Sequence, residues 1–248
     1  MASTLIVTGG GRGIGAATAR LAATRGYAVC VNYKKNQAAA EAVVGAIKAA
    51  GGTALAVGAD VAVEKEVERL FDTVDAALGP LAALVNNAGV LETQTRVEHL
   101  DAARIDRVFA TNVRGAFLCA REAVLRLSTR HGGSGGGIVN VSSRAAQLGA
   151  PGEYVDYAAS KAALDALTIG LAREVAGEGI RVNGVRAGII YTEIHADGGE
   201  PGRVDRLGPT LPMRRGGDAI EVARAILWLL SDEASYSTGT FIDVAGGR

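Results

Sequence analysis

Cysteine is scarce: only Cys30 and Cys119 occur in 248 residues. Two thiols in separate apolar segments fit small buried hydrophobes in a reducing compartment better than a disulfide framework. The three histidines, His99, His131 and His195, have no cysteine or histidine partner at ligand spacing, so no metal is expected. No apolar run reaches the roughly 20 residues of a membrane span, and the opening "MASTLIVTGG" lacks a basic leader, so a cytoplasmic protein is expected. Net charge is absent too, with 26 basic against 26 acidic side chains. Nothing in that balance draws the chain to nucleic acid or an anionic membrane. Aromatics make up 4% against 48% hydrophobic residues, so the interior must be Ala, Val, Leu and Ile, the mixture of parallel strands buried under helices.

What is present is an alternation. Seven short apolar runs, "TLIVTGG", "YAVCVNY", "TALAVGAD", "LAALVNNAG", "GIVNVSS", "IRVNGVRAG" and "TFIDVAGG", are separated by helical stretches. That order predicts one α/β domain over 1–248, a parallel seven-stranded sheet wound with helices on both faces. The first helix is expected to start near residue 13 and stop at Gly26, the second to stop at Gly51 and Gly52. Two segments depart from the pattern. "RHGGSGGGIV" precedes a strand and reads as a mobile loop at the sheet's far edge. Residues 193–217 hold three of the five prolines, show no helical period, and read as a substrate lid.

"IVTGGGRGIG" places Gly9, Arg12, Gly13, Ile14 and Gly15 between the first strand and the first helix. Glycines allow close backbone approach to a pyrophosphate, and a helix N-terminus offers it free N–H groups. The spacing GxxxGxG differs from the commoner dinucleotide fingerprint, so the turn alone is a weak signal. At the end of the second strand, where an acidic residue would hold the ribose of NAD, the chain reads Asn32, Tyr33, Lys34. With Arg12 in the turn and Lys34 here, the pattern favours NADP, leaving NAD as the alternative. Lys34 and Lys35 alone would also suit a solvated turn.

In "GEYVDYAASK", Tyr157 and Lys161 are i and i+4 and share a helix face if the helix begins near residue 155. An ammonium there is expected to lower the phenol's pKa toward working pH. Tyr154 has Ala158 at the corresponding place and is expected to line the pocket. On spacing alone a surface pair is the better reading.

The glycine turn, "NNAG" at 86–89, "TNVRG" at 111–115, "VSS" at 141–143 and "YAASK" at 157–161 together resemble the short-chain dehydrogenase/reductase family over essentially the whole chain. The resemblance implies a Rossmann-type fold and hydride transfer between NADP(H) and a small carbonyl or alcohol. It implies Tyr157 as general acid/base, Lys161 on the nicotinamide ribose and lowering the tyrosine pKa, Ser143 on the substrate oxygen, and Asn112 anchoring a relay water. Ser142 would then face the other side of its strand.

By the same resemblance Asp60 and Val61 would flank the adenine, Asn87, Ala88 and Gly89 would run along the cofactor, and Ile190 and Thr192 would touch the carboxamide. The family's usual proline before glycine is Ala187 here. Glu193 and His195 read as lid residues. Arg203, Arg206, Arg214 and Arg215 could meet an anionic substrate group, or be salt-bridged. Trp228, Leu229 and Leu230 make one helix unusually apolar, a core helix or a subunit contact. The resemblance implies a homo-oligomer, tetramer or dimer.

Overall fold

A computed structural model describes residues 3–248, so Met1 and Ala2 of the expected 1–248 domain lie outside the described residues. The first half runs β1 (Thr4–Val7), α1 (Gly13–Thr24), β2 (Ala28–Tyr33), α2 (Gln37–Ala49), β3 (Ala54–Gly58), α3 (Glu64–Leu78) and β4 (Leu81–Asn86). Next come α4 (Ala102–Phe109), α5 (Gly115–Leu127), β5 (Gly136–Ser143), α6 (Ala145–Leu148), α7 (Val155–Val175) and β6 (Ile180–Ala187). The last part holds β7 (Ile190–Tyr191), α8 (Ile194–Asp197), α9 (Arg203–Leu207), β8 (Gly217–Asp218), α10 (Ala219–Leu230) and β9 (Phe241–Val244). Helix α1 ends two residues before Gly26, and α2 two before Gly51, both glycines at positive φ.

Seven strands form one parallel sheet in the order β3-β2-β1-β4-β5-β6-β9. The order reverses between β1 and β4, and the crevice outside the carboxyl ends of strands at such a reversal is where ligands bind in open α/β sheets. Strand residues alternate between two cores. Leu5, Val7, Val29, Val31, Val139 and Val185 meet α1, α2 and α10 on one face. On the other, Ile6, Cys30, Leu84, Ile138 and Val182 meet α3, α5 and α7. Each such side chain, fully buried, contributes about 1.5–3 kcal/mol relative to exposure. Small residues such as Ala16, Ala19 and Ala22 bring α1 close to the sheet.

One expectation is corrected. "RHGGSGGGIV" is neither at an edge nor a free loop: it leads into β5, an inner strand, and packs tightly. Gly136 has φ of 154°, and a Cβ built on it would lie 2.3 Å from the Ala82 carbonyl oxygen, so backbone approach demands the glycine. The 193–217 segment contains α8 and α9, too short to imprint a period, and the pairing of β7 with β8 closes its base. In α10, Leu229 and Leu230 are buried while Trp228 is 37% exposed.

Candidate active site

The site lies in the crevice at the sheet's reversal, a cleft of about 850 Å³. Gly9, Arg12, Gly13, Ile14, Asn32, Lys34, Asp60, Val61, Asn87, Ala88, Gly89, Ser143, Tyr157, Lys161, Ile190 and Thr192 all line it. Gly9 and Gly13 take positive φ, 61° and 50°. At Gly15 a Cβ would fall 2.5 Å from both Asn87 Nδ2 and the Gly9 carbonyl oxygen, so the turn closes only with glycine there. Helix α1 begins with no side-chain cap and no acid in its first turn, which leaves its N–H groups available to an anion.

Two asparagines hold this cradle in shape. Asn87 Nδ2 donates to the carbonyls of Thr8 (2.8 Å) and Gly9 (3.1 Å). Asn32 Nδ2 donates to the carbonyls of Val57 (3.2 Å) and Ala59 (3.0 Å), and its Oδ1 accepts from Gly9 N–H (3.3 Å). Its side chain is therefore committed to backbone and leaves little for a ribose. Thr8, which sequence reasoning passed over, accepts from the N–H groups of Asn87 (2.9 Å) and Ala88 (3.0 Å) and ties β1 to β4 at the crevice floor. Its place at the strand's end was the available signal. Lys34 pairs with Asp60 at 2.7 Å, and Arg12 with Asp197 at 2.5 Å.

Strand β5 and helix α7 supply the hydroxyls and the amine. Alternation at the end of β5 sends Ser142 inward, 2% exposed, where its hydroxyl donates to the Lys161 carbonyl at 3.3 Å. Ser143 lines the cleft with Tyr157 and its hydroxyl accepts from Ala145 N–H at 3.1 Å. Lys161 is 4% exposed; its ammonium donates to the Val141 carbonyl at 2.8 Å and lies 5.6 Å from the Tyr157 ring centre. Asn112 sits in a π-turn over Ala110–Arg114, an irregularity that recurs at functional sites. Its Nδ2 donates to the Val90 carbonyl and Ser160 hydroxyl, both 3.0 Å, and its Oδ1 accepts from Val90 N–H at 2.8 Å. A Cβ on Gly89 would lie 3.5 Å from both Asn112 Oδ1 and Lys161 Nζ, which places the amide and amine around one point.

The ionisation differs from the expectation. Burial pushes the Tyr157 phenol up to about 12, with the neighbouring Ser143 hydroxyl opposing the rise. Lys161 is itself stripped of water and falls to about 8, with Asp165 opposing the fall. At neutral pH the phenol is a protonated donor and the lysine a cation. Tyr154 is buried and lines the cleft as expected, and its hydroxyl donates to the Gly198 carbonyl at 3.2 Å.

The arginines of residues 193–217 are largely spent. Arg203, 4% exposed, bonds Glu153 at 2.5 Å and Glu200 at 2.9 Å. Arg206 pairs with Glu200 at 2.5 Å, Arg215 with Glu221 at 2.6 Å, and Arg214 donates to the Pro209 carbonyl at 2.9 Å. His195 is buried; its Nε2 meets the Ile190 carbonyl at 3.0 Å and burial lowers its pKa. His99 and His131 lie apart from the cleft, and no three-residue metal-ligand group exists among the described residues. Ala187 closes the turn without proline: its carbonyl accepts from Arg144 N–H at 2.9 Å, and Gly188 N–H donates to the Val244 carbonyl at 2.9 Å.

Residues 9–248 match the family model described as enoyl-(acyl carrier protein) reductase. An uncharacterized oxidoreductase of Escherichia coli K12, YgfF, is 62% identical over 243 residues, 98% of each chain. A short-chain type dehydrogenase/reductase of Picea abies is 37% identical, covering 98% of this chain and 91% of that one. Among solved structures, a short chain dehydrogenase of Burkholderia cenocepacia J2315 in complex with NADP superposes with a TM-score of 0.91 at 34% identity, covering 99% of this chain and 97% of that one. With its seven-stranded parallel sheet and these relatives, the chain belongs to the short-chain dehydrogenase/reductase family of oxidoreductases.

Proposed function

We propose that the protein transfers hydride between NADP(H) and a small carbonyl or alcohol, with Tyr157 as general acid/base. The observation that carries this reading is the convergence of Ser143, Tyr157 and Lys161 in one cleft with an uncapped, glycine-opened helix terminus. The cradle suits a dinucleotide: it has a turn at positive φ through Gly9 and Gly13, free N–H groups at α1, and Arg12 and Lys34 in its lining. The NADP complex of the Burkholderia relative supports the choice of cofactor.

When bound, the nicotinamide supplies or takes the hydride. The chain's own work is on the substrate oxygen. In reduction, Ser143 and Tyr157 donate hydrogen bonds to that oxygen as negative charge builds on it, and the Tyr157 proton passes across. The Lys161 ammonium favours the phenolate left behind. Asn112, which approaches the same point beside Gly89 as Lys161, would anchor a relay water that replaces that proton. Asp60 and Val61 would hold the adenine, and Ile190 and Thr192 the carboxamide.

A second reading, NAD(H), has one observation in its favour: Arg12 and Lys34 are both ion-paired within the protein. A homo-oligomer and a cytoplasmic setting complete the proposal. Exposed Trp228 on α10 with Phe117 and Leu125 on α5 support the first, and two buried free thiols the second. No helix among the described residues is long and apolar enough to cross a membrane.

The test is a screen of carbonyl compounds for NADPH oxidation, repeated with Tyr157→Phe. Turnover is expected to fall by about 10²-fold or more while NADPH affinity stays within about twofold. Full activity in Tyr157→Phe with loss in Tyr154→Phe would move the proton donor to Tyr154.

A further inference from the structure

The lid is docked along two edges of unequal strength. Its substrate-side edge is anchored by buried and multiple bonds. Arg203 bridges Glu153 and Glu200, Tyr154 donates to Gly198, and Gln94 Nε2 donates to Glu200 at 2.7 Å. The cofactor-side edge is held differently. Asp197, at the end of α8, reaches Arg12 of the glycine turn at 2.5 Å, with both side chains nearly half exposed. Glu193 lies over the start of α1: a Cβ on Gly13 would be 3.5 Å from its Oε2 and 3.0 Å from Thr192 Cγ2. Glu193 has no salt bridge among the described residues. Two lid carboxylates thus stand at the end of the cleft where a dinucleotide's phosphates would bind.

Exposed ion pairs are weak, whereas breaking a buried one is costly. The lid's cofactor-side edge is therefore the one that gives way. We propose that Asp197 is a specificity-determining residue for the cofactor, holding the Arg12 guanidinium that would read a 2′-phosphate, so that NADP(H) must take Arg12 from it. This rests on the NADP(H) reading above. A phosphate dianion outcompetes a carboxylate for a guanidinium through more charge and bidentate bonding. A ribose hydroxyl carries no charge and does not, so NAD(H) binds with the latch closed. Asp197 thus subtracts from NADP(H) affinity alone and couples its arrival to release of the lid edge.

The experiment is fluorescence titration of the full-length protein with NADPH and with NADH, in wild type, Asp197→Asn, Asp197→Ser, Arg12→Ala and the Arg12→Ala/Asp197→Asn double variant. Both single Asp197 variants are expected to bind NADPH about two- to fivefold more tightly, the scale of one exposed ion pair, with NADH unchanged. In the Arg12→Ala background the Asp197 change should have no effect on NADPH. Unchanged or weaker NADPH binding in both Asp197 variants overturns the proposal. So does equal tightening of NADH, or a gain that persists without Arg12. Wild type that binds neither nucleotide overturns the cofactor reading together with the latch, whereas tight NADPH binding indifferent to Asp197 overturns the latch alone.

Discussion

A phenol and an amine four residues apart, Tyr157 and Lys161, carry opposite consequences of one cause. Desolvation holds the proton on Tyr157 up to about 12 and strips it from Lys161 near 8. As pH rises, the lysine therefore titrates first. We predict that kcat/KM for reduction, which reports the free enzyme, falls as pH rises through about 8 because the ammonium is lost, while the phenol stays protonated. A pH profile that stays flat to pH 10 would deny Lys161's charge a part in the rate. Ser143, Tyr157 and Lys161 were legible in the sequence through the resemblance of their motifs to the family, with which strand alternation and the i, i+4 relation are consistent. Their ionisation was not, since it depends on neighbours such as Val141 and Asp165 that fold in from elsewhere.

Helix α7 shows what an element must do to hold such a pair. Its inner face carries Ser160, Lys161, Asp165 and Thr168, all buried, so the polar and apolar faces that usually reveal a helix are blurred. Its start is fixed instead by a buried ion pair. Asp156 in the first turn accepts from Arg104 of α4 at 2.8 and 3.2 Å, and the two side chains are 2% and 10% exposed. Nothing in the spacing of those residues announced the pair. Arg104→Ala should lower stability by about 3–5 kcal/mol in urea denaturation, because Asp156 is left charged and unpaired in the interior. Replacing both by apolar residues of similar volume should recover much of that loss. A single variant as stable as wild type would show that water reaches Asp156. The short helices α8 and α9 escaped notice for a simpler reason: four and five residues are too few to repeat a pattern.

For the molecule as a whole, the seven apolar runs were read as seven strands and found as such, because buried parallel strands must be continuously apolar. The connections were read less well. The glycines of 132–137 looked permissive in sequence, yet Gly136 is required by contact with Ala82, a residue distant in the chain. Arg12, Lys34 and Lys161, expected at one site from the motifs although the chain is neutral overall, do line one cleft. Local patterns reveal what each segment is, and contacts between segments settle what it is for.

Cys30 in β2 and Cys119 in α5 are both wholly buried in one core, and burial raises the pKa of both thiols. Together they make a built-in clock for the opening of the sheet. A thiol-reactive dye should leave native protein unmodified for as long as the layers stay shut, and label both sites at one common rate once denaturant parts them. Mass spectrometry during labelling would count the adducts. Early modification of Cys119 alone would reveal that α5 lifts off before the strands separate.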